Sequence, residues 1–141
     1  GSYGYISSSY YDVIVIATEE PTSITDAYSM MKFLTLRDPS VKISIVANRV
    51  MNMKTPLAAA ERLQFAMRKF LRKKVYVLGY LEEDEVVRRA VIARSPCVIY
   101  SPNASVSYNI RSIVNQYLGV VPRREKKKSL LHSLKRWFQR G

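Results

Sequence analysis

The sequence predicts an α/β fold in which helices cover a parallel sheet, and three observations lead to this prediction. Four short β-branched runs alternate with four longer segments of helical periodicity, which is the order of parallel strands and their crossover helices. The 141 residues suffice for one domain with a sizeable core. Hydrophobic residues make up 48% and charged residues 24% of the chain, which excludes wholesale disorder.

The predicted strands are the apolar runs. Residues 12–17 (DVIVIA) form a continuous β-branched run, typical of a strand that is buried on both faces of a sheet. Residues 41–47 (VKISIVA) and residues 75–78 (VYVL) have the same character. Residues 97–100 (CVIY) predict a shorter strand, so the predicted sheet has four members.

The first two helices follow the first two strands. Thr22 or Ser23 is expected to cap a helix that runs to about Leu36, with Asp26 in the first turn, where the helix dipole favours an anion. Pro56 is expected at the first position of the second helix, because its fixed φ suits a helix start. The apolar face of this second helix is predicted to hold Leu63, Ala66, Met67, Phe70 and Leu71.

Two further helices are predicted in the second half of the chain. Asp84 is a helix-starting residue and is expected to begin a short helix through Ala93. Asn103 or Ser105 is expected to begin the last helix of the domain. Gly119 is the predicted stop signal for that helix, since glycine favours the left-handed conformation that ends many helices.

Charge divides the chain unevenly. The net charge of the whole chain is +12. Residues 1–122 hold 15 basic and 10 acidic side chains, whereas residues 123–141 hold eight basic side chains and one acidic side chain. We expect a leader or tag remnant at residues 1–10, the folded domain at residues 11–122 and a basic linker at residues 123–128. Because the chain opens without an initiator Met, it is expected to be a piece of a longer protein.

Several classes of site are excluded by residue type. Cys97 is the only cysteine and His132 the only histidine, which excludes a disulfide, a Ser-His-Asp or Cys-His catalytic group and a His-based metal site in the folded part. None of the five glycines precedes a lysine, so the chain has no P-loop. The acidic residues 82–85 can coordinate Mg²⁺, but a charged helix N-terminus explains them more simply. No run of apolar residues is long enough to span a bilayer.

The segment after the first strand carries a recognisable motif. Residues 17–28 (ATEEPTSITDAY) lie at the predicted carboxyl edge of the sheet, where open α/β folds bind their ligands. The segment resembles the Pro-Glu-Pro-Thr-Ser-Ile-Thr-Asp-Ala-Tyr stretch of the MinD/ParA family of P-loop ATPases, and within it the flagellar-number regulator branch, FlhG (also called FleN). Residues 46–50 (VANRV), 78–81 (LGYL) and 90–96 (AVIARSP) resemble later pieces of the family in the same order.

This resemblance implies the C-terminal part of a SIMIBI-type P-loop ATPase whose Walker A loop and catalytic lysines lie upstream of residue 1. It implies ATP or ADP with Mg²⁺ in the whole protein, with none bound by this chain alone and no catalytic residue within it. Asn48, Arg49 and Asp84 would then contact the nucleotide. The implied dimer face of the ATP-bound form comprises Glu20, Thr22, Ser23 and Asp26.

Two positions depart from the family pattern. Glu19 and Glu82 stand where the family usually has proline, and the proline at the second position flanks the adenine in relatives. These departures favour an alternative function, a membrane-associating scaffold whose ATPase machinery is degenerate.

The last residues have the pattern of an amphipathic helix. Within residues 129–141 the apolar side chains recur at helical spacing, and basic and polar residues lie elsewhere around the helix. This composition favours a helix that lies in a membrane interface. The predicted apolar stripe consists of Leu130, Leu131, Leu134, Trp137 and Phe138, and the predicted headgroup contacts are Lys126, Lys127, Lys128, Lys135 and Arg136.

Two alternatives for this segment stay open. It can dock on its own domain, or its basic residues can contact nucleic acid, although no recognition motif accompanies the charge. The resemblance implies a membrane-targeting helix, a homodimer at the inner face of the cytoplasmic membrane, and an FlhF-type GTPase among the partners. The expected function is therefore ATP-dependent, reversible membrane binding that controls flagellar number or placement, with a nucleic-acid-binding domain as the third possibility.

Overall fold

The computed structural model describes residues 12–120. The leader expected at residues 1–10, the basic linker at residues 123–128 and the amphipathic segment at residues 129–141 lie outside this range. The described elements are β1 (Asp12–Ala17), α1 (Pro21–Arg37), β2 (Lys42–Val50), α2 (Ala58–Leu71), β3 (Tyr76–Glu82), α3 (Glu85–Ile92), α4 (Cys97–Tyr100) and α5 (Ser105–Val120).

The strands form the parallel sheet that the sequence predicts. Within the described range the sheet has the order β1-β2-β3, and both strand pairs are parallel. The register of the first pair runs from Asp12 opposite Lys42 to Ala17 opposite Ala47. Because the strands are parallel, the segments that follow them meet at one edge, the carboxyl edge, and the segments that precede them meet at the opposite amino edge.

Helices pack on both faces of this sheet, as predicted, although one face of β1 stays uncovered within residues 12–120. α1 and α2 pack on one face, where Met31, Ile43, Leu63 and Met67 are almost fully buried in one core cluster. α5 packs on β3 from the other face. A Cβ at Gly79 would lie 2.9 Å from Ile113 Cγ1 of this helix, so the missing side chain permits the close approach.

The predicted fourth strand is wrong, because residues 97–100 form the short helix α4. The amides of Tyr100 and Ser101 donate to the carbonyls of Pro96 and Cys97, which closes one helical turn. The buried Ser107 hydroxyl of α5 donates to the Ser101 carbonyl at 2.7 Å. These local hydrogen bonds outweigh the strand propensity of a run of only four residues.

Helix starts also differ from the predictions. α1 begins at Pro21 with Glu20 as its N-cap, so Thr22 and Ser23 lie inside the helix and Asp26 lies beyond the first turn. Proline, with φ already near the helical value, sets this start. Pro56 instead lies in the turn before α2, which begins at Ala58.

Two further predictions about helices are corrected, and one is confirmed. Phe70 is 66% exposed, so it does not belong to the buried face of α2. α5 continues through Gly119 to Val120, so this glycine does not stop the helix. The start of α3 agrees with the prediction, because Asp84 is its N-cap and accepts a hydrogen bond from the amide of Val86 at 2.9 Å.

β1 is less buried than its composition predicts. Ile14 and Ile16 are 44% and 58% exposed, whereas Val13 and Val15 on the alternate face pack against the core cluster. Within residues 12–120, β1 pairs only with β2 and lies at an edge of the sheet. One face of this strand is therefore uncovered in the described part of the chain.

Candidate functional site

The motif-bearing segments meet at the carboxyl edge of the sheet. After β1 the chain turns into α1, and two side chains fix that turn. Ser23 Oγ accepts a hydrogen bond from the Thr18 amide at 2.9 Å, and Thr18 Oγ1 accepts one from the Glu20 amide at 3.3 Å. The predicted capping hydroxyl of Ser23 thus reaches back over the turn and leaves the cap position to Glu20. Glu19 and Glu20 are held on the exposed side of this turn.

The ends of β2 and β3 are joined by an ion pair. Arg49 Nε donates to Glu83 Oε2 at 2.8 Å, and the Glu83 amide donates to the Val50 carbonyl at 2.9 Å. The hydrogen bond from Arg49 to Glu83, and the charge of this carboxylate, raise the pKa of Arg49 above its ordinary value. Both side chains are largely exposed, so this pair directs the guanidinium more than it stabilises the fold.

The backbone of Arg49 is strained. Its φ of 52° lies in the left-handed region, which is uncommon for a residue that is neither glycine nor asparagine. Such strain is maintained only where the surrounding structure determines it, and here Arg49 lies within the register irregularity between Ala47 and Val50 of β2. The turn points the guanidinium towards the segment after β3.

An open cavity of about 260 Å³ lies between these segments. Its lining holds three carboxylates but only one guanidinium, and that cation is already paired with Glu83. A triphosphate does not fit such a lining, because like charges would face its oxygens. The lining suits a group that donates hydrogen bonds. The residues around the cavity are Thr18, Glu19, Glu20, Arg49, Met51 and Glu83.

The predicted nucleotide contacts are only partly brought together. Arg49 lines the cavity, whereas Asn48 and Asp84 are half-buried and do not. The Asp84 carboxylate is occupied in capping α3. The predicted role of these three residues towards ATP stays a prediction.

The acidic residues at the end of β3 have separate local partners. The Glu82 amide donates to Asn109 Oδ1 of α5 at 3.1 Å, and the Glu85 carboxylate accepts from Arg88 one turn along α3. That hydrogen bond lowers the pKa of Glu85. Within residues 12–120, no cluster of His, Cys, Asp or Glu side chains is arranged to hold a metal ion.

The predicted dimer face lies next to the cavity. Glu20, Thr22 and Asp26 are exposed along the first turns of α1, whereas Ser23 is half-buried and bonded to the Thr18 amide. The face is thus available to a partner, and its role in a dimer stays a prediction.

Sequence reasoning missed four of the six residues of the cavity. Thr18, Glu19, Met51 and Glu83 line it without having been predicted as site residues, and Glu19 was noted only as a departure from the family pattern. The sequence did hold a signal for Glu83, because a carboxylate directly after β3 lies near a cation at the end of β2 in a parallel sheet. The prediction that the acidic run marks a helix N-terminus is correct for Asp84, which caps α3. It gives no indication that Glu83 pairs with Arg49.

The predicted membrane-binding residues, from Lys126 to Phe138, lie outside the described range. Among the helices within residues 12–120, none combines the length and the apolar character that a bilayer span requires.

Comparison with known proteins agrees with the motifs. No protein-family model matches the chain. The antiactivator FleN of Pseudomonas aeruginosa is 25% identical over 105 residues, which cover 74% of this chain and 38% of FleN. The flagellum site-determining protein YlxH of Helicobacter pylori is 28% identical over 102 residues, which cover 72% of this chain and 34% of YlxH.

The chain therefore spans little more than a third of the length of these relatives. Both matches nevertheless extend over nearly three quarters of the chain itself, well beyond the one motif after β1. They confirm the resemblance that the motifs predict: the chain is a FlhG/FleN-like relative of these two bacterial proteins.

Proposed function

We propose that this chain is part of a regulator of flagellar placement or number. The observation that carries the proposal is the joint match to YlxH, named as a flagellum site-determining protein, and to the antiactivator FleN. The motif-bearing residues after β1 and at the ends of β2 and β3 support it, because they converge on one edge of the sheet, as a shared binding or partner face requires.

Deletion of the gene in the source organism tests this function. Flagella are counted and located by electron microscopy in the deletion strain and in a strain carrying the restored gene. The expected result is an altered number or an altered position of flagella, corrected by the restored gene. Unchanged flagella in the deletion strain would contradict the proposed function.

Within this function, we propose that the protein acts as a dimer that assembles with ATP through the face around Asp26. Support comes from the exposed side chains of Glu20, Thr22 and Asp26 beside the carboxyl-edge cavity. In the whole protein, Asp26→Ala is expected to weaken ATP-dependent dimerisation, measured by analytical ultracentrifugation. Thr25→Ala, at the adjacent exposed position, is the control. A dimer unaffected by Asp26→Ala would contradict this role.

We propose that the phosphates of a nucleotide are held outside the described domain, and the carboxylates that line the cavity at the carboxyl edge support this. Calorimetric titration of this chain with Mg-ATP is therefore expected to give no micromolar binding. The same charge favours a second candidate function, a membrane-associated scaffold without ATPase activity. ATP hydrolysis by the whole protein would exclude the scaffold, and its absence in a correctly folded whole protein would favour it.

The membrane is the proposed site of action. Each cation near an anionic leaflet contributes about 1 kcal/mol, and each large apolar side chain that is fully buried about 1.5–3 kcal/mol. Ordering residues 129–141 as a helix on the membrane costs about 1–2 kcal/mol per residue. A single copy of this segment is therefore expected to bind weakly and reversibly. Two copies on a dimer bind more strongly through effective concentration, which couples dimerisation to membrane attachment.

A further inference from the structure

The outward surface of α2 combines exposed aromatic rings with exposed cations. Phe65 and Phe70 are 63% and 66% exposed, whereas Leu63 and Met67 of the same helix are buried. The ammonium of Lys69 lies 5.7 Å from the centroid of the first ring and 5.5 Å from that of the second. We call this region the basic surface and define it by its exposed residues: Phe65, Arg68, Lys69, Phe70, Arg72 and Lys74.

The net charge of the domain is concentrated in residues 61–74, which include the basic surface. Residues 61–74 hold six basic side chains and one acidic side chain, whereas the rest of residues 12–120 hold nine of each. The helix dipole accounts for Arg68 and Lys69 in the last turn of α2. It does not account for the cations beyond the helix, nor for two exposed phenylalanine rings among them.

Lys73 belongs to the fold and not to this surface. Its ammonium donates to the carbonyls of Pro39 and Val41, which ties the end of α2 to the turn before β2. Burial lowers the pKa of Lys73. The end of α2 is thereby fixed at the amino edge of the sheet, and its exposed neighbours are presented from a rigid position.

The end of α5 lies beside this surface. Gln116 of α5 lines an open cavity together with Arg68 and Lys74. The next residue, Tyr117, donates a hydrogen bond to Asp12 at the start of β1 at 3.1 Å. The end of α5 therefore lies at the amino edge of the sheet, with Gln116 beside the basic surface.

The opposite edge carries the opposite charge. Six of the ten carboxylates of residues 12–120 lie where β1 and β3 end or directly after them: Glu19, Glu20, Glu82, Glu83, Asp84 and Glu85. Two of these six carboxylates are paired with Arg49 and Arg88, so the carboxyl edge is less strongly charged than the amino edge. The cations of the domain are nevertheless concentrated towards the amino edge and its carboxylates towards the carboxyl edge. Near an anionic surface such a distribution orients the molecule.

We propose that the basic surface of α2 is a second membrane contact, which binds anionic lipid and places the amino edge against the bilayer. The two phenylalanine rings enter the interface, while Arg68, Lys69, Arg72 and Lys74 reach the headgroups with their stems along the rings. This inference rests on the proposed membrane attachment through residues 129–141. The contact leaves the acidic carboxyl edge facing away from the membrane, free for a ligand or a second protomer.

Charge-reversal variants of the full chain test the contact. Arg68→Glu combined with Lys69→Glu is expected to lower the partition coefficient on vesicles with anionic lipid at least about 30-fold, because two headgroup contacts are lost. The matched control is Lys54→Glu combined with Arg89→Glu, which changes the net charge equally at exposed positions outside the basic surface. The control is expected to change the coefficient by less than about threefold. Equal effects of the two double variants would overturn the inference.

Two fluorescence reporters distinguish this contact from the contact proposed for residues 129–141. Trp137 is the only tryptophan of the chain and reports on residues 129–141. Phe70→Trp in a Trp137→Phe background reports on the basic surface. Quenching of both by brominated anionic lipid is the expected result.

Quenching of Trp137 alone would overturn the second contact and leave the proposed membrane attachment intact. Quenching of neither reporter would contradict both proposals. An emission shift of the Phe70→Trp reporter on duplex DNA, without quenching on vesicles, would identify the basic surface as a nucleic-acid contact and overturn the inference.

Discussion

At the scale of single residues, Gly79 decides how closely α5 approaches β3. Its φ of 153° is rarely adopted by residues with a side chain, and a Cβ there would lie 2.9 Å from Ile113 Cγ1. Gly79→Ala is therefore expected to lower the free energy of unfolding by about 1–3 kcal/mol, measured by urea denaturation.

Gly119 provides the matched control for that prediction. It lies in the helix α5, and a Cβ at this position would meet nothing within 4 Å. Gly119→Ala is expected to leave the stability unchanged or raise it by up to about 1 kcal/mol. A Gly79→Ala variant as stable as this control would show that the close approach to Ile113 carries no cost.

Tyr117 links stability to alkaline pH. Burial, together with the hydrogen bond to Asp12, raises the pKa of its phenol above the ordinary 10.0. Because the folded pKa is the higher one, the stability from this group is fully present below pH 10.0 and is lost as pH rises through the folded pKa. Tyr117→Phe is expected to cost about 1 kcal/mol at pH 7.

The difference in unfolding free energy between the original protein and Tyr117→Phe is followed by urea denaturation at increasing pH. It is expected to stay constant to about pH 10 and then shrink. A difference that grows above that pH would contradict the assignment.

At the scale of elements, Ser107 fixes the joint between α4 and α5. This fully buried hydroxyl lies 2.7 Å from the Ser101 carbonyl and 3.3 Å from that of Cys97. Ser107→Ala leaves both carbonyls without this donor, and we expect a loss of about 1–2 kcal/mol. Amide hydrogen exchange should also accelerate at Tyr100 and Ser101, whose amides close the turn of α4.

Ser112→Ala is the control, because its side chain lies exposed on α5. Unchanged exchange at Tyr100 in Ser107→Ala would show that the turn of α4 is stable without the hydroxyl.

Element prediction succeeded where one local signal dominates. The β-branched runs identify β1, β2 and β3, and Asp84 identifies the start of α3, because a cap and its helix are neighbours in sequence. It failed at residues 97–100, where helix formation is supported by Ser107, ten positions away from Cys97. It also failed at Gly119, because α5 continues through this glycine to Val120. A left-handed residue does end α2, but it is Arg72, which propensity does not indicate.

From the sequence, the candidate site could be located to the carboxyl edge of the sheet, but the contacts within it could not be predicted. The motif after β1 places Glu20 and its neighbours at the carboxyl end of the sheet, and parallel topology brings Arg49 there. The pairing of Arg49 with Glu83 spans 34 positions and depends on the irregular register between β2 and β3. Nothing local in the sequence encodes that register.

At the scale of the whole molecule, β1 presents an uncovered apolar face and, within residues 12–120, an edge that pairs with no further strand. Exposed edges with apolar side chains promote association between sheets. The chain is expected to self-associate at high concentration, and Ile16→Lys should suppress this in sedimentation velocity. Ile99→Lys, which replaces an isoleucine 52% exposed on α4, should not. Equal sedimentation of all three proteins would contradict this role of β1.

The uneven distribution of charge between the two edges of the sheet supports the proposed action at a membrane. The amino edge carries the basic surface and the end of α5, and the carboxyl edge carries six of the ten carboxylates and the motif after β1. In the proposed orientation, the amino edge faces the anionic membrane and the carboxyl edge faces away from it, which is favourable for the charges of both edges. In the proposed function, the segment with Trp137 is expected to provide the membrane attachment itself.

The emission of Trp137 on lipid vesicles tests this attachment most directly. In the full chain we expect a blue shift on vesicles with anionic lipid, reduced at high salt because the headgroup contacts are screened. Phe138→Glu is expected to abolish the shift by placing a charge in the apolar stripe, whereas Gln139→Glu, the same charge on the polar side, should only weaken it. An emission that anionic vesicles leave unchanged, in a chain that is folded and monodisperse, would contradict membrane attachment.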